Sequence, residues 1–216
     1  MKIGTDGVLL GAWASVPYPD ATAAMDAGAG CGLIALMLAQ RFPLLRIDAV
    51  EIDPEAARDA AGNIVASPWD ARIRPICASF AVMEGPYDLV VSNPPFFTSG
   101  EQAPLAARAA ARHAGSLSPV TLVETVRGFL NPVGTLAMIT PPEQEAELIY
   151  RAALARMYPR RICAVSPRPD KGPVRLLWEF SPTDGPLIRS TMVLRRADGS
   201  LSDEFASLTR DFYLNI

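Results

Sequence analysis

The feature that most constrains this chain is a segment in which an apolar run, a glycine-rich loop and a helical pattern follow one another. The apolar run covers residues 21–28, the loop Gly-Ala-Gly-Cys-Gly covers 28–32, and the helical pattern covers 33–42. Glycines after a strand permit a tight turn and close approach of a ligand to the backbone, while the next helix offers its N-terminus. The segment therefore predicts a ligand-binding strand–loop–helix unit, with a plain turn of small residues as the alternative.

The rest of the chain continues this alternation of strand and helix patterns. Further strands are predicted at 44–53, 71–79, 87–93 and 135–140, and helices at 54–67, 118–130 and 143–157. Such alternation is typical of a parallel sheet with helices on both faces. We predict an α/β fold with a doubly wound, mostly parallel, Rossmann-like sheet.

The last part of the chain shows a different pattern. Strands predicted at 161–167 and 174–182 are joined by a short loop, which favours an antiparallel hairpin. A further strand at 190–196 and a helix at 202–213 complete the chain. The expected fold is thus a mostly parallel sheet with an antiparallel C-terminal hairpin.

Size and composition are those of one globular domain, expected over residues 1–216. The net charge of −3, from 20 basic and 23 acidic side chains, gives no overall basic field, so nucleic-acid contact would need a local patch. Cys31, Cys77 and Cys163 are widely spaced, which argues against a metal site or a disulfide scaffold. With neither a signal peptide nor a long apolar run, the expected location is the cytoplasm, away from membranes.

Two acidic residues lie close to the glycine loop. Asp26 ends the first predicted strand, where its carboxylate is suited to an ammonium group. Glu51 ends the second strand about twenty residues after the loop, a position suited to holding two ribose hydroxyls. The strict dinucleotide-binding pattern is broken, because Leu33 lies where its third glycine belongs. Acidic residues near a loop without basic ones favour a cationic ligand over a pyrophosphate.

The predicted strand at 87–93 ends in an unusual corner, Asn93-Pro94-Pro95, followed by Phe96 and Phe97. Two consecutive prolines remove two backbone donors, so the strand must stop there. A residue before proline is pushed toward an extended conformation, so Asn93 is held at a stiff turn. The corner therefore presents one amide side chain beside two aromatic rings.

The motifs together carry a family resemblance. Residues 26–32, 50–53 and 92–96 (DAGAGCG, VEID and SNPPF) resemble class I S-adenosylmethionine-dependent methyltransferases that methylate planar nitrogen. The opening MKIGTDGVLLGAW, the segment ARHAGSLS at 111–118 and the terminal DFYLNI are similar to the bacterial valine-tRNA (adenine-N6)-methyltransferase family, which modifies the adenine beside the anticodon. Family members usually carry further residues before KIGTDG, so a shortened start is expected.

The resemblance implies S-adenosylmethionine as cofactor and the anticodon loop of a tRNA as partner, without metal or membrane, in a monomer or weak dimer. The implied cofactor contacts are Thr5, Asp6, Asp26, Gly28, Ala29, Gly30, Gly32, Glu51, Ile52, Ser79, Phe80 and Asn93. Ser79 stands where related enzymes usually carry Asp, and a hydroxyl accepts more weakly than a carboxylate.

The resemblance also implies a chemistry for the corner. The Asn93 side-chain oxygen and the Pro94 carbonyl would accept hydrogen bonds from the two N–H groups of an exocyclic amine. Its lone pair would then be directed at a methyl group. Asn93, Pro94 and Phe96 are the implied catalytic residues, with Phe96 stacking on a flipped base. The implied substrate contacts are Pro95, Phe96, Phe97, Arg108, Arg112 and His113, although His113 is also interpretable as a surface or loop anchor.

Several alternatives stay open. The NPPF element is shared with DNA adenine, rRNA guanine-N2 and protein glutamine N5-methyltransferases, the last usually preceded by a helical domain. A non-catalytic cofactor- or RNA-binding module is a third possibility. Basic residues around the predicted hairpin fit either a solvated face or an RNA contact, namely Arg160, Arg161, Arg168, Lys171 and Arg175.

Overall fold

A computed structural model describes residues 4–95 and 117–213, which form one eight-stranded sheet flanked by helices. The strands are β1 (Ala23–Ala27), β2 (Arg46–Glu51), β3 (Ile73–Cys77), β4 (Tyr87–Ser92), β5 (Leu130–Thr140), β6 (Tyr158–Ser166), β7 (Arg175–Ser181) and β8 (Ile188–Val193). The helices are α1 (Thr5–Trp13), α2 (Leu33–Arg41), α3 (Pro54–Val65), α4 (Pro119–Thr125), α5 (Glu145–Leu154) and α6 (Asp203–Thr209).

The strands lie in the order β3-β2-β1-β4-β5-β7-β6-β8. All neighbouring pairs are parallel except those of β7, which runs antiparallel to β5 and β6. The predicted doubly wound sheet and its antiparallel hairpin are therefore confirmed. The carboxyl ends of β1 to β6 and of β8 share one edge of the sheet, here called the carboxyl edge, where β7 begins.

The two faces of the sheet carry separate apolar cores, because successive side chains of a strand point to opposite sides. Val91 belongs to the core that α1, α2, α3 and α6 cover. Its neighbour Val90 belongs to the other core, which α4 and α5 cover and which contains the buried Trp178. Every residue of β4 is buried, as expected for a central strand of a parallel sheet covered on both faces.

Helix α1 was not predicted from the sequence, where its segment was recognised only as a motif. Its glycines allow close packing on α2: a Cβ at Gly11 would lie 2.7 Å from the sulfur of Met37, and one at Gly7 would lie 3.2 Å from Leu33. The Arg41 guanidinium donates to the carbonyls of Gly11 and Ala14 at 2.7 Å each, which satisfies acceptors at the end of α1. These contacts place the beginning of the chain against the first βα unit.

The structure also differs from the predicted elements around residue 130. Strand β5 begins at Leu130, earlier than the strand predicted at 135–140, and its register against β4 shifts between Tyr87 and Leu89. The predicted helix at 118–130 ends at Thr125 and continues as a short 3-10 turn. The earlier start of β5 was missed because an irregularity in a paired strand resembles a turn at the level of sequence.

Candidate active site

Two of the predicted site motifs, the glycine loop and the Asn93 corner, lie at the middle of the carboxyl edge. Strands β1 and β4 are neighbours there, and the chain leaves β1 toward β2 on one side and β4 toward β5 on the other. This is the point where the strand order reverses, which is where α/β sheets bind ligands. The glycine loop follows β1 and the Asn93 corner follows β4, so the fold brings together two motifs that the sequence separates.

The glycine loop has a backbone that only glycine adopts easily. Gly28, Gly30 and Gly32 have φ angles of +73°, +56° and +81°. The amides of Gly28 and Ala29 both donate to the Val50 carbonyl, at 2.8 and 3.0 Å. The loop is therefore attached to the end of β2, and its shape depends on glycine at all three positions.

Glu51 is fixed at the end of β2 by two backbone amides. One carboxylate oxygen accepts from Gly30 at 2.9 Å and the other from Asp53 at 2.9 Å. A carboxylate has about four acceptor sites, so both oxygens keep capacity for ligand hydroxyls. Ile52, the next residue, is 64% exposed, which leaves an apolar side chain uncovered beside these acceptors.

Asp26 is a completely buried carboxylate at the end of β1. One oxygen accepts from the Ala35 amide of α2 at 3.0 Å, whereas the other, Oδ1, is buried without a hydrogen-bond partner among the described residues. The pKa of Asp26 is raised to about 7, chiefly because the carboxyl is buried. The Ala35 hydrogen bond lowers this pKa, and the nearby Glu51 charge raises it. An unsatisfied buried carboxylate oxygen is a place for a cationic or hydrogen-bond-donating ligand group.

The Asn93 corner lies directly beyond the last residue of β4. Asn93 is half-buried, Pro94 is buried and Pro95 is exposed. The preceding Ser92 is completely buried, and its hydroxyl donates to the Ala27 carbonyl at 2.7 Å. The sequence motif contained Ser92, but nothing in the sequence indicated this contact, because its partner lies 65 residues away.

Ser79 and Phe80 lie beyond the end of β3. The Ser79 hydroxyl accepts from the Ala81 amide at 3.3 Å and starts a short 3-10 turn. Phe80 is only 4% exposed and meets Phe129 edge-on, with ring centroids 6.5 Å apart. Most of the Phe80 ring is thus used in the core, and the contact of either residue with cofactor adenine stays a prediction.

Thr5 and Asp6 begin α1 beside the same edge. Thr5 is exposed, and Asp6 accepts from the Arg175 guanidinium at 2.8 Å at the start of β7. This ion pair holds the N-terminus of α1 near the carboxyl edge. The role of either residue in cofactor binding is untested by the geometry and remains a prediction.

Leu117 is a further residue at the loop that the sequence did not single out as a contact. Its Cδ2 lies 2.3 Å from the position that a Cβ at Gly28 would occupy. A side chain at position 28 would therefore collide with Leu117 as well as strain the backbone. The other predicted substrate residues, Phe96, Phe97, Arg108, Arg112 and His113, lie outside the described residues.

Three of the five basic residues around the hairpin have intramolecular partners. Arg161 pairs with the buried Glu179 at 2.9 Å and stacks over the Trp13 ring at 4.1 Å. Arg160 donates to backbone carbonyls at 3.1 and 3.2 Å, and Arg175 pairs with Asp6. These contacts stabilise the fold, so the presence of three of the five basic residues is explained without an RNA contact.

Arg168 and Lys171 are different, because both are exposed. They lie in the connection between β6 and β7, and Leu176 of β7 pairs with Thr140 at the carboxyl end of β5. The connection therefore lies at the carboxyl edge, on the same side of the sheet as Asn93.

The described residues show neither a metal site nor a membrane-spanning helix. Within residues 4–95 and 117–213, no three His, Cys, Asp or Glu side chains are grouped as a metal site would require. None of the helices in this part of the chain has the length and apolar character needed to cross a membrane.

Comparison with known proteins identifies relatives along the whole chain. Residues 13–158 match the family model described as "Methyltransferase small domain". The tRNA1(Val) (adenine(37)-N6)-methyltransferase of Tolumonas auensis is 40% identical over 218 residues, covering 100% of this chain and 91% of the relative. Its namesake in Porphyromonas gingivalis is 42% identical over 232 residues, covering 99% of this chain and 89% of the relative.

Solved structures agree with the fold. A predicted O-methyltransferase from Agrobacterium tumefaciens superposes with a TM-score of 0.75 at 18% identity, covering 95% of this chain and 96% of its own. A ribosomal protein L11 methylase from Lactobacillus delbrueckii superposes with a TM-score of 0.56 at 17% identity, covering 82% and 78%. At such identities these neighbours establish the architecture alone.

Proposed function

Because the chain belongs to the family of tRNA1(Val) (adenine(37)-N6)-methyltransferases, we propose that it methylates N6 of adenine 37 in a valine tRNA. The observation that carries this proposal is the Asn93-Pro94 corner, which lies beside a glycine loop at the reversal point of the sheet. This position lies next to the place where such folds hold their ligand, which supports the proposal.

The residues around the loop fit S-adenosylmethionine. Glu51 keeps acceptor sites for ribose hydroxyls, and Ile52 offers exposed apolar surface for the adenine. The unsatisfied Oδ1 of Asp26 suits the ammonium group of the methionine part. When bound, the cofactor supplies a methyl group on a positively charged sulfur. These side chains bind and orient it, and none of them needs to react.

The corner supplies orientation rather than strong base catalysis. An exocyclic amine is a poor nucleophile, because its lone pair is delocalised into the ring. The Asn93 side-chain oxygen and the Pro94 carbonyl would accept hydrogen bonds from its two N–H groups and free the lone pair. Proline fixes φ, so the direction of its carbonyl is held in advance. Since neither acceptor is a strong base, the released proton passes to water.

The anticodon loop of a tRNA is a suitable substrate for such a corner. Its bases are unpaired, so turning one outward costs less than in a duplex. The overall charge of −3 means that attraction to phosphate must come from local cations. The exposed Arg168 and Lys171 at the carboxyl edge are candidates, together with the basic residues expected from the sequence beyond Pro95.

Methylation of tRNA from a strain that lacks this protein tests the proposal. Purified protein, labelled S-adenosylmethionine and valine tRNA should yield N6-methyladenine at position 37, quantified by mass spectrometry of nucleosides and of nuclease fragments. A valine tRNA with guanine at position 37 is the matched control and should stay unlabelled. Label in a translation release factor, with none in tRNA, would instead identify a protein glutamine methyltransferase.

A further inference from the structure

Ser92 is the residue directly before the Asn93 corner. Strands β1 and β4 pair up to Asp26 and Val91, and Ser92 is the next residue of β4. Its hydroxyl donates to the Ala27 carbonyl at 2.7 Å, and the side chain is completely buried. A side-chain hydrogen bond thus extends the contact between the two strands one residue beyond their backbone pairing.

The two halves of the site are anchored differently. The glycine loop is attached to β2, through the Val50 carbonyl and the Glu51 carboxylate. The backbone of Ser92 pairs with Met138 of β5 on the other side. The loop is held by β2 and the corner by β5, so the Ser92–Ala27 bond, together with the backbone pairing of β1 and β4, joins the two halves of the site.

The residues that follow Ser92 make this link more important. Pro94 and Pro95 have no N–H group, so neither can donate a backbone hydrogen bond that would hold the corner. Displacement of a reacting group by about 1 Å can cost about a hundredfold in rate. The separation between the cofactor loop and Asn93 is the distance that methyl transfer depends on.

We propose that Ser92 is a positioning residue that sets the separation of the Asn93 corner from the cofactor loop. The inference rests on the proposed function, in which Asn93 orients the target amine. Ser92 touches neither substrate nor cofactor in this assignment. It acts through Asn93 on one side and through Ala27 on the other.

Replacement of the hydroxyl tests the proposal by separating turnover from binding. Ser92→Ala should lower kcat by about tenfold to a hundredfold. The KM for tRNA and the Kd for S-adenosylhomocysteine should stay within about twofold, because the loop remains attached to β2. Ser92→Cys, with similar volume and a weak S–H donor, should have an intermediate kcat.

A buried hydroxyl outside the site provides the matched control. Thr209 of α6 is completely buried and donates to the Phe205 carbonyl at 2.7 Å. Both Thr209→Val and Ser92→Ala should lower the melting temperature. Thr209→Val should nevertheless leave kcat unchanged. An unchanged kcat in Ser92→Ala, or a cofactor affinity that falls in parallel with kcat, would overturn the proposal.

Hydrogen exchange tests the positioning role of Ser92 in the absence of substrate. Ser92→Ala should speed amide exchange in peptides covering residues 87–93 but not in those covering 26–33. Equal exchange of both regions in the variant and the wild type would contradict a positioning role. If the wild type leaves adenine 37 unmethylated, the proposed function fails, and the exchange comparison still decides what Ser92 holds.

Discussion

At the level of single residues, the side chains proposed to bind the cofactor differ from the side chain proposed to bind the target amine. Asp26 lies at the end of β1 and Glu51 at the end of β2, and Asn93 follows β4. Backbone amides position Glu51 and Asp26, so a substitution at Asn93 should leave both in place. This separation makes binding and turnover independently measurable.

Asn93→Ala should abolish methyl transfer while leaving cofactor affinity near that of the wild type. Loss of one placed hydrogen bond in the transition state commonly costs about 10²–10³ in rate. Calorimetry with S-adenosylhomocysteine and a tRNA methylation assay on the same preparation measure the two effects. Retained activity in this variant would exclude the acceptor mechanism.

Cofactor affinity should depend on pH through Asp26. With its pKa raised to about 7 by burial, the carboxyl is mostly neutral at pH 6 and mostly ionised at pH 8. An ammonium group prefers the ionised form, so S-adenosylhomocysteine should bind about tenfold more tightly at pH 8 than at pH 6. Calorimetry across this range, with Asp26→Asn as a control of weaker and pH-independent binding, would measure it.

The same group predicts the direction of pH-dependent stability without cofactor. A carboxyl whose pKa is raised on folding binds its proton more tightly in the native state. It therefore stabilises the fold below its ordinary pKa of 3.8, and this contribution is lost as the pH rises to about 7. Urea unfolding should show the wild type losing stability between pH 4 and pH 7 relative to Asp26→Asn.

At the scale of elements, the connection between β6 and β7 is the part of the hairpin best placed to meet RNA. Arg168→Ala combined with Lys171→Ala should raise the KM for tRNA several-fold and weaken its salt dependence. Cofactor affinity should not change, since neither residue belongs to the loop after β1. Activity titrated against tRNA at two salt concentrations provides the measurement.

Arg127→Ala is the matched control for that experiment. Arg127 is also exposed, but it precedes Leu130, which begins β5 at the opposite edge of the sheet. Removing its charge should leave the KM for tRNA unaltered. Equal effects of both changes would mean that general charge, and not the β6–β7 connection, governs tRNA binding.

At the level of the whole molecule, the chain just after α1 is attached to strand β7 through a buried carboxylate. Glu179 of β7 is 4% exposed, pairs with Arg161 and accepts from the Ser15 amide at 2.8 Å. Glu179→Ala should lower the free energy of unfolding by about 2–4 kcal/mol, because a partly buried cation loses its partner. Chemical denaturation measures this loss.

An exposed ion pair gives the contrasting expectation. Asp203 is paired with Arg196, but its side chain is 94% exposed. Asp203→Ala should therefore change the free energy of unfolding by less than about 1 kcal/mol, because water solvates both charges equally well. A loss as large as that of Glu179→Ala would show that burial is not the deciding factor.

Local patterns of the sequence predict the strands and helices that follow α1, together with both motifs of the site. The helical spacing at 33–42, the glycines at 28–32 and the prolines after Asn93 are local signals, and each element that they predict is present. Their roles in cofactor and base binding remain predictions. Local signals sufficed because backbone preference and apolar periodicity act within a few residues.

The contacts that join these elements follow from the packing of the whole chain. Ser92 and Ala27 are 65 residues apart, and Asp6 and Arg175 are 169 apart, so neither contact follows from local pattern. Burial likewise raised the pKa of Asp26 and placed most of Phe80 in the core. Desolvation and long-range pairing depend on which elements become neighbours, and that is settled by the packing of the whole sheet.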